Sequence, residues 1–423
     1  MQIAILGRQA GISIAELEAL FGAEKITAVE DYAAIINSDQ PLPQARLGGT
    51  MKSATIIKRL ENMDLSEAFV HLQEFLPEHF MYLPKGKLQF GISVYGFKAQ
   101  RDWLLKRMLV LKKVIKKTGQ SVRIIENKSE TLESAQILYN KLTSKLGCEL
   151  LLVAVGNDII IAQTTAVQDI DDYAKRDFGR PMRDAFVGML PPKLAQIMIN
   201  LAVGEYGQFS DLSSQILDED KIDPENSKNQ EPRSKISILD PFCGTGVVLQ
   251  EALLMGYSAY GTDLAERMVD YSTGNLQWLS SNFQLSASNF KIEQADATTY
   301  QWDPSKIQDL NSKIYIVCET YLGTPLSALL DRAKLNEIRH QVDSIAEGFL
   351  KNIAKQIPKG TRLTIALPAW HIGSNKFYHL PLLDQLSKLG YNRLEFVHAT
   401  KSDLVYHRTD QIVARELTIL EKN

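Results

Sequence analysis

No run of about 18 apolar residues occurs in this chain, so no segment is expected to cross a membrane as a helix. Cysteine is scarce. Cys148, Cys243 and Cys318 stand far apart without a CxxC pair, which offers neither a zinc site nor a disulfide framework and fits a reducing cytoplasm. The seven histidines show no HxxxH spacing, so no metal is expected. Charge of one sign is missing too. The 47 basic and 50 acidic residues leave a net charge of −3, so any surface for nucleic acid must be local. The first 20 residues lack a basic stretch and a small-residue cleavage site, and a signal peptide is not expected. What remains is an ordinary globular composition, 45% hydrophobic over 423 residues, enough for two or three domains.

The front of the chain reads as short strands and helices in turn. QIAIL (2–6), ITAVEDYAAIIN (26–37), LQFGISVY (88–95), SVRIIE, ELLLVAV and DIIIAQ read as strands, with helices at Ile14–Phe21, Asp102–Thr118 and TLESAQILYNKL. This alternation predicts small α+β modules, each with a sheet covered on one face. Residues 205–235 are polar, acid-biased and without apolar periodicity, as in a flexible insertion. From residue 236 the pattern becomes strand–turn–helix repeats, the alternation of a doubly wound sheet with ligands at the carboxyl ends of its strands.

The strongest chemical feature is Asp240-Pro241-Phe242-Cys243-Gly244-Thr245-Gly246, after an apolar strand and before a helix. Glycine lets backbone approach a ligand, and a helix start offers unpaired N–H donors. A dinucleotide fingerprint is incomplete because Leu249 stands where a third glycine belongs, and no GKS or GKT follows for a phosphate loop. Asp263 closes the next strand and Asp296, before Ala297, closes the one after. Asp263 can accept from a ribose diol and Asp296 from an adenine amine. Three carboxylates at successive strand ends suit a neutral or cationic nucleoside such as S-adenosylmethionine better than a pyrophosphate. The plainer alternative is that each aspartate caps a turn.

DPFCGTG, GTD and QADA at these spacings resemble the cofactor site of THUMP-domain RNA methyltransferases, nearest to the tRNA guanosine-N2 methyltransferases of the archaeal and eukaryotic position-10 type. LGGTMK near residue 50, YAKRDFGRPMRDAFVGMLPPKLAQIMINLA at 173–202 and YHRTDQIVARELTIL at the end extend the resemblance over most of the chain. It implies a ferredoxin-like module over 1–84, a tRNA-binding THUMP domain over 85–168 and a connecting segment and helix over 169–204. Beyond the insertion it implies a Rossmann-like methyltransferase domain over 236–423, with a seven-stranded, mostly parallel sheet. It also implies S-adenosylmethionine as cofactor and tRNA as partner, with Asp240, Pro241, Cys243, Gly244, Thr245, Gly246, Asp263, Asp296 and Ala297 around the cofactor.

At the fourth strand end the resemblance thins. The family has an acid or amide, two prolines and an aromatic ring there; this chain has Cys318-Glu319-Thr320-Tyr321. Glu319 is the candidate to orient an exocyclic amine, and Tyr321 to stack on the base. A homologue that binds RNA without turnover, and methylation of another base amine, remain open. For RNA, Lys106, Lys113, Lys116 and Lys117 lie roughly opposite Leu104, Met108, Leu111 and Ile115 on one helix. Lys175, Arg176, Arg180 and Arg183 form a second cluster, either clamping phosphates or paired with Asp177 and Asp184.

Overall fold

The computed structural model describes residues 1–184, 189–204, 236–283, 285, 289–303, 313–324, 326, 332–373, 376–408 and 411–423, and the expected insertion at 205–235 lies outside them. The chain divides into two compact units, Met1–Ile14 with Glu24–Tyr173, and Ala15–Ala23 with Ala174–Asn423.

The first unit is built on one sheet. Its strands are β1 (Gln2–Leu6), β2 (Ile26–Val29), β3 (Ala33–Ile36), β4 (Thr50–Leu60), β5 (Lys87–Tyr95), β6 (Ser121–Ile124), β7 (Gly147–Val155) and β8 (Asp158–Val167). Their order is β2-β3-β1-β4-β8-β7-β5-β6. The expectation of separate small sheets is therefore corrected. The long strand β4 pairs with β1 on one side and β8 on the other, so one sheet runs across the division expected at residue 84.

Helices α2 (Leu65–His79) and α3 (Arg101–Lys117) cover one face of this sheet; α1 spans Ala10–Phe21. A reciprocal capping box starts α2, with Asp64 accepting from Glu67 N and Glu67 accepting from Asp64 N, both at 2.8 Å. The helix read at 102–118 forms as α3. Leu104, Met108, Leu111 and Ile115 join Phe69, Leu72 and Leu76 of α2 over Leu88, Phe90 and Ile92 of β5. In β7, Leu150 and Leu152 face these helices while Leu151 and Val153 pack with Ile3 and Ile5. Burial on both faces explains the unbroken apolar run ELLLVAV. The helix read in TLESAQILYNKL is short: α4 spans Ser134–Tyr139.

The second unit has strands β9 (Ile236–Asp240), β10 (Ser258–Asp263), β11 (Phe290–Gln294), β12 (Lys313–Glu319), β13 (Arg362–His371), β14 (Phe377–Tyr378), β15 (Tyr391–Arg393), β16 (Val405–Tyr406) and β17 (Val413–Lys422). The main path is β11-β10-β9-β12-β13-β17-β15, with β14 and β16 as short additions. Along this seven-stranded path β17 alone runs against the rest. This is the mostly parallel sheet expected. The chain leaves β9 toward β10 and β11, then returns to β12 on its other side, which makes β9 the switch point where such sheets bind ligands. Asp240, Asp263 and Glu319 end three of these parallel strands. Beyond α5 (Ile170–Phe178) come α6 (Pro192–Val203), α7 (Val247–Leu254), α8 (Glu266–Phe283) and α9 (Arg332–Ile353). The proline pair opens α6, with Pro191 as N-cap and Pro192 at the first position, where a missing N–H costs nothing. No helix among the described residues is long and apolar enough to cross a membrane.

Candidate active site

The glycine turn between β9 and α7 is fixed from three directions. Asp240 Oδ1 accepts from Phe242 N at 3.0 Å, closing the turn on itself. Cys243 N donates to Thr262 O of β10 at 2.9 Å, and Gly244 N donates to Asp263 Oδ2 at 2.9 Å. From α8, Ser272 Oγ donates to Gly244 O at 2.6 Å and Asn275 Nδ2 to Thr245 O at 2.9 Å. Gly246, at φ 84°, is the left-handed N-cap of α7, a conformation that favours glycine. Gly244 differs in what surrounds it. Among the described residues a Cβ there would meet nothing nearer than Phe242 O at 4.0 Å, so this side of the turn is uncrowded.

The carboxylates at the strand tips act on one another. Burial pushes the Asp240 carboxyl well above the usual carboxylate range; Phe242 N–H opposes this, and the charges of Asp263 and Glu319 add to it. Asp263 is pushed up by burial and pulled back by backbone N–H groups of Ala265, Gly244 and Leu264, with a net rise. Glu319 is also raised by burial, against the pull of Arg415. Cys243 and Cys318 are buried thiols pushed well up by burial and by these acids, which keeps them from acting as thiolates. The site is thus acidic, and its glycine turn lies beside the acids rather than beside paired lysines.

Asp296 sits just past β11, exposed, and accepts from Thr298 N at 2.9 Å and Thr298 Oγ1 at 2.7 Å. It caps its own turn, as the plainer alternative held. Ala297 is buried, and its carbonyl accepts from Asn352 Nδ2 at 3.1 Å. Tyr321 follows β12 with 36% of its surface exposed. Glu319 meets a partner that local sequence did not flag: Arg415 of β17 donates through Nε to Glu319 Oε1. The signal was a lone cation inside the apolar strand VARELTIL. Ser272 and Asn275 were also missed; their spacing of three along α8 puts both on the face toward the turn. Among the described residues no group of three or more His, Cys, Asp or Glu is placed to hold a metal.

Comparison with known proteins supports the resemblance. No protein-family profile matches the chain. It is 31% identical over 127 residues to the tRNA (guanine(10)-N2)-dimethyltransferase of Methanothermobacter thermautotrophicus, covering 30% of this chain and 29% of that protein. It is 33% identical over 104 residues to the protein of the same name from Pyrococcus abyssi, covering 25% of this chain and 21% of that one. The chain thus spans less than a third of the length of these curated relatives. Across its whole length it superposes on the crystal structure of TrmN from Thermus thermophilus with a TM-score of 0.51 and 15% identity, covering 100% of this chain and 99% of that one. The two share a fold. It is a Rossmann-like, mostly parallel sheet preceded by an α+β region.

The basic residues divide on inspection. Lys106, Lys113, Lys116 and Lys117 are all exposed on α3, away from its buried face. The second cluster does not form a surface clamp. Arg180 is 2% exposed, with Asp177 Oδ1 at 3.9 Å and its Nη2 on Met189 Sδ at 2.9 Å. Placing Arg180 on RNA is corrected by this burial. Arg176 is buried against Glu251 of α7 at 3.3 Å, and Asp184 pairs with Arg267 at 2.6 Å. Arg183 stays exposed, its guanidinium 5.0 Å from the Phe178 ring centroid. His371 and His407 are half-buried and stack at 4.8 Å.

Proposed function

We propose that this chain is an S-adenosylmethionine-dependent methyltransferase acting on tRNA, with the exocyclic N2 amine of guanine as the acceptor. The observation that carries this reading is the acidic arc of Asp240, Asp263 and Glu319 beside a glycine turn that is open at Gly244. Mutually repelling carboxylates favour a ligand that brings positive charge, and a sulfonium with an ammonium does so. A pyrophosphate would meet like charge. The relatives named for guanine-N2 methylation support the choice of acceptor.

In this reading S-adenosylmethionine supplies an activated methyl group and a thioether leaving group. Asp240, Pro241, Cys243 and the backbone of Gly244, Thr245 and Gly246 hold its amino-acid end. Each Asp263 oxygen already accepts one backbone N–H and keeps a lone pair for a ribose hydroxyl. Asp296 and Ala297 flank the adenine. The guanine amine is a weak nucleophile because its lone pair is shared with the ring. Glu319 accepts one of its N–H groups and stabilises the positive charge that develops on nitrogen. The Tyr321 ring stacks on the base.

The proposed division of labour places RNA binding in the first unit, over 85–168, and chemistry at 236–423, in a cytoplasmic setting. Lys106, Lys113, Lys116, Lys117 and Arg183 are the cations available to phosphates. The test is incubation with unmodified tRNA and methyl-labelled cofactor, followed by nucleoside analysis. The expected product is N2-methylguanosine. Label in no RNA, with tRNA binding retained and no cofactor binding by calorimetry, would favour the homologue without turnover.

A further inference from the structure

Glu319 is a long acid at the end of a strand, followed by Thr320 and Tyr321 rather than by a stiffening proline. Among the described residues of its own segment, none bonds the carboxylate. The fixing contact comes from two strands away. Glu319 lies opposite Ala366 on β13, and Pro368, two residues on along the same face, lies opposite Arg415 on β17. Glu319, Ala366, Pro368 and Arg415 therefore share one face of the sheet. Two strand spacings, about 9.6 Å, separate β17 from β12. The compact side chains of Ala366 and Pro368 leave the guanidinium room to cross.

Arg415 is 5% exposed, and its Nε donates to Glu319 Oε1. No donor among the described residues bonds Glu319 Oε2, and the Glu319 side chain keeps 16% exposure. One oxygen is anchored and the other keeps its acceptor capacity. The charge acting on Glu319 is that of Arg415 on β17, while Glu319 and Asp263 of β10 in turn raise Asp240 of β9.

We infer that Arg415 is the residue that positions Glu319 for the acceptor amine, holding Oε1 so that Oε2 receives the N–H. This rests on the proposed methyl transfer. The arrangement replaces a rigid loop with a cross-sheet clamp. Its charge and hydrogen bond also oppose the burial that raises the Glu319 carboxyl.

The test compares wild type with R415Q and R415K. Three readouts are taken: kcat for methyl transfer against pH, cofactor affinity by calorimetry, and the Glu319 side-chain carboxyl titration by carbon-13 NMR, assigned by its loss in E319Q. In R415Q the carboxyl titration and the acid limb of kcat should both move up by about one unit or more. On that limb kcat should drop about tenfold while cofactor affinity stays within about twofold. R415K should restore the acid limb but not the full kcat, because an ammonium lacks the planar fork that orients a carboxylate. A merely structural arginine would alter stability and leave the pH profile in place. If R415Q does not fold, R415K decides by the same titration and by its kcat. An active enzyme whose pH profile is unchanged in these variants would overturn the role of Arg415 alone. A wild type inert on every RNA would remove the functional reading and the positioning role together.

Discussion

Each unit buries a carboxylate beside a cation, and the two pairs are finished differently. In the first unit Glu149 of β7 is fully enclosed, with Lys52 Nζ at 2.6 Å and Ser93 Oγ at 2.5 Å on Oε1, and Thr164 Oγ1 at 2.5 Å on Oε2. Ser93 Oγ in turn accepts from Leu132 N at 2.8 Å, so the network reaches the segment leading into α4. In the second unit Glu319 has, among the described residues, only Arg415, on one oxygen. An acid fully enclosed, with a donor on each oxygen, is closed to a ligand and serves the fold. A half-saturated acid at a parallel-strand tip keeps an acceptor for substrate. The difference separates architecture from chemistry more sharply than burial does, since burial raises the cost of charge in both places.

The largest effect should come from breaking the saturated pair. Lys52→Met leaves Glu149 buried with two hydroxyl donors and no cation, and should cost about 3–5 kcal/mol. Hydrogen exchange of β7 and β8 amides reads this loss within the first unit. A loss below about 1 kcal/mol would mean that the pair resembles an exposed one. Thr164→Val is the gentler version. It removes one hydroxyl donor to an ionised acceptor and should cost about 1.5–3 kcal/mol by the same exchange measurement. A neutral Thr164→Val would show that Oε2 does not need its donor, and would weaken the contrast with Glu319.

How far sequence carries depends on where each contact's partner lies. The buried stripe of α3 and its lysine face were legible because both sit on one helix at a fixed period. The glycine turn and the aspartates of β9 and β10 were legible because parallel strands put their ends on one edge. The single sheet of the first unit was not, since β4 pairs with β8 through Lys52↔Val167, a join between remote segments that no local pattern encodes. For Arg180 the sequence left a phosphate clamp and a pairing with Asp177 open, and its burial with Asp177 Oδ1 at 3.9 Å and Met189 Sδ at 2.9 Å decides for the pairing. Asp296 was correctly set after a strand, and its bond to Thr298 two residues on was written in the same DAT triplet. Arg415 was the costliest miss, because its meaning depends on a residue two strands away.

A third pair tests the contrast at its weak end. Glu416, beside Arg415 on β17, faces His379 through Oε2 and Arg393 at 3.0 Å through Oε1. The hydrogen bond to Glu416 raises His379 above its ordinary value of 6.5, against the effect of burial. Such a raised imidazole adds stability that is complete below 6.5 and is lost as pH rises through the raised value. Glu416 moves the other way. Burial raises its carboxyl, but His379 and Arg393 hold it below its ordinary value of 4.5. Its contribution is present above 4.5 and is lost as pH falls through the lowered value. The pair is therefore complete from mildly acidic conditions up to the His379 transition. His379→Gln should destabilise most in that window and not at all in alkali. Because the His379 side chain is 46% exposed, solvent screening should hold the difference to roughly a few tenths of a kcal/mol. Denaturant midpoints of wild type and variant at stepped pH read it directly. A difference that grows with pH would have the wrong sign for a protonated partner, and would place His379 among the neutral packing residues.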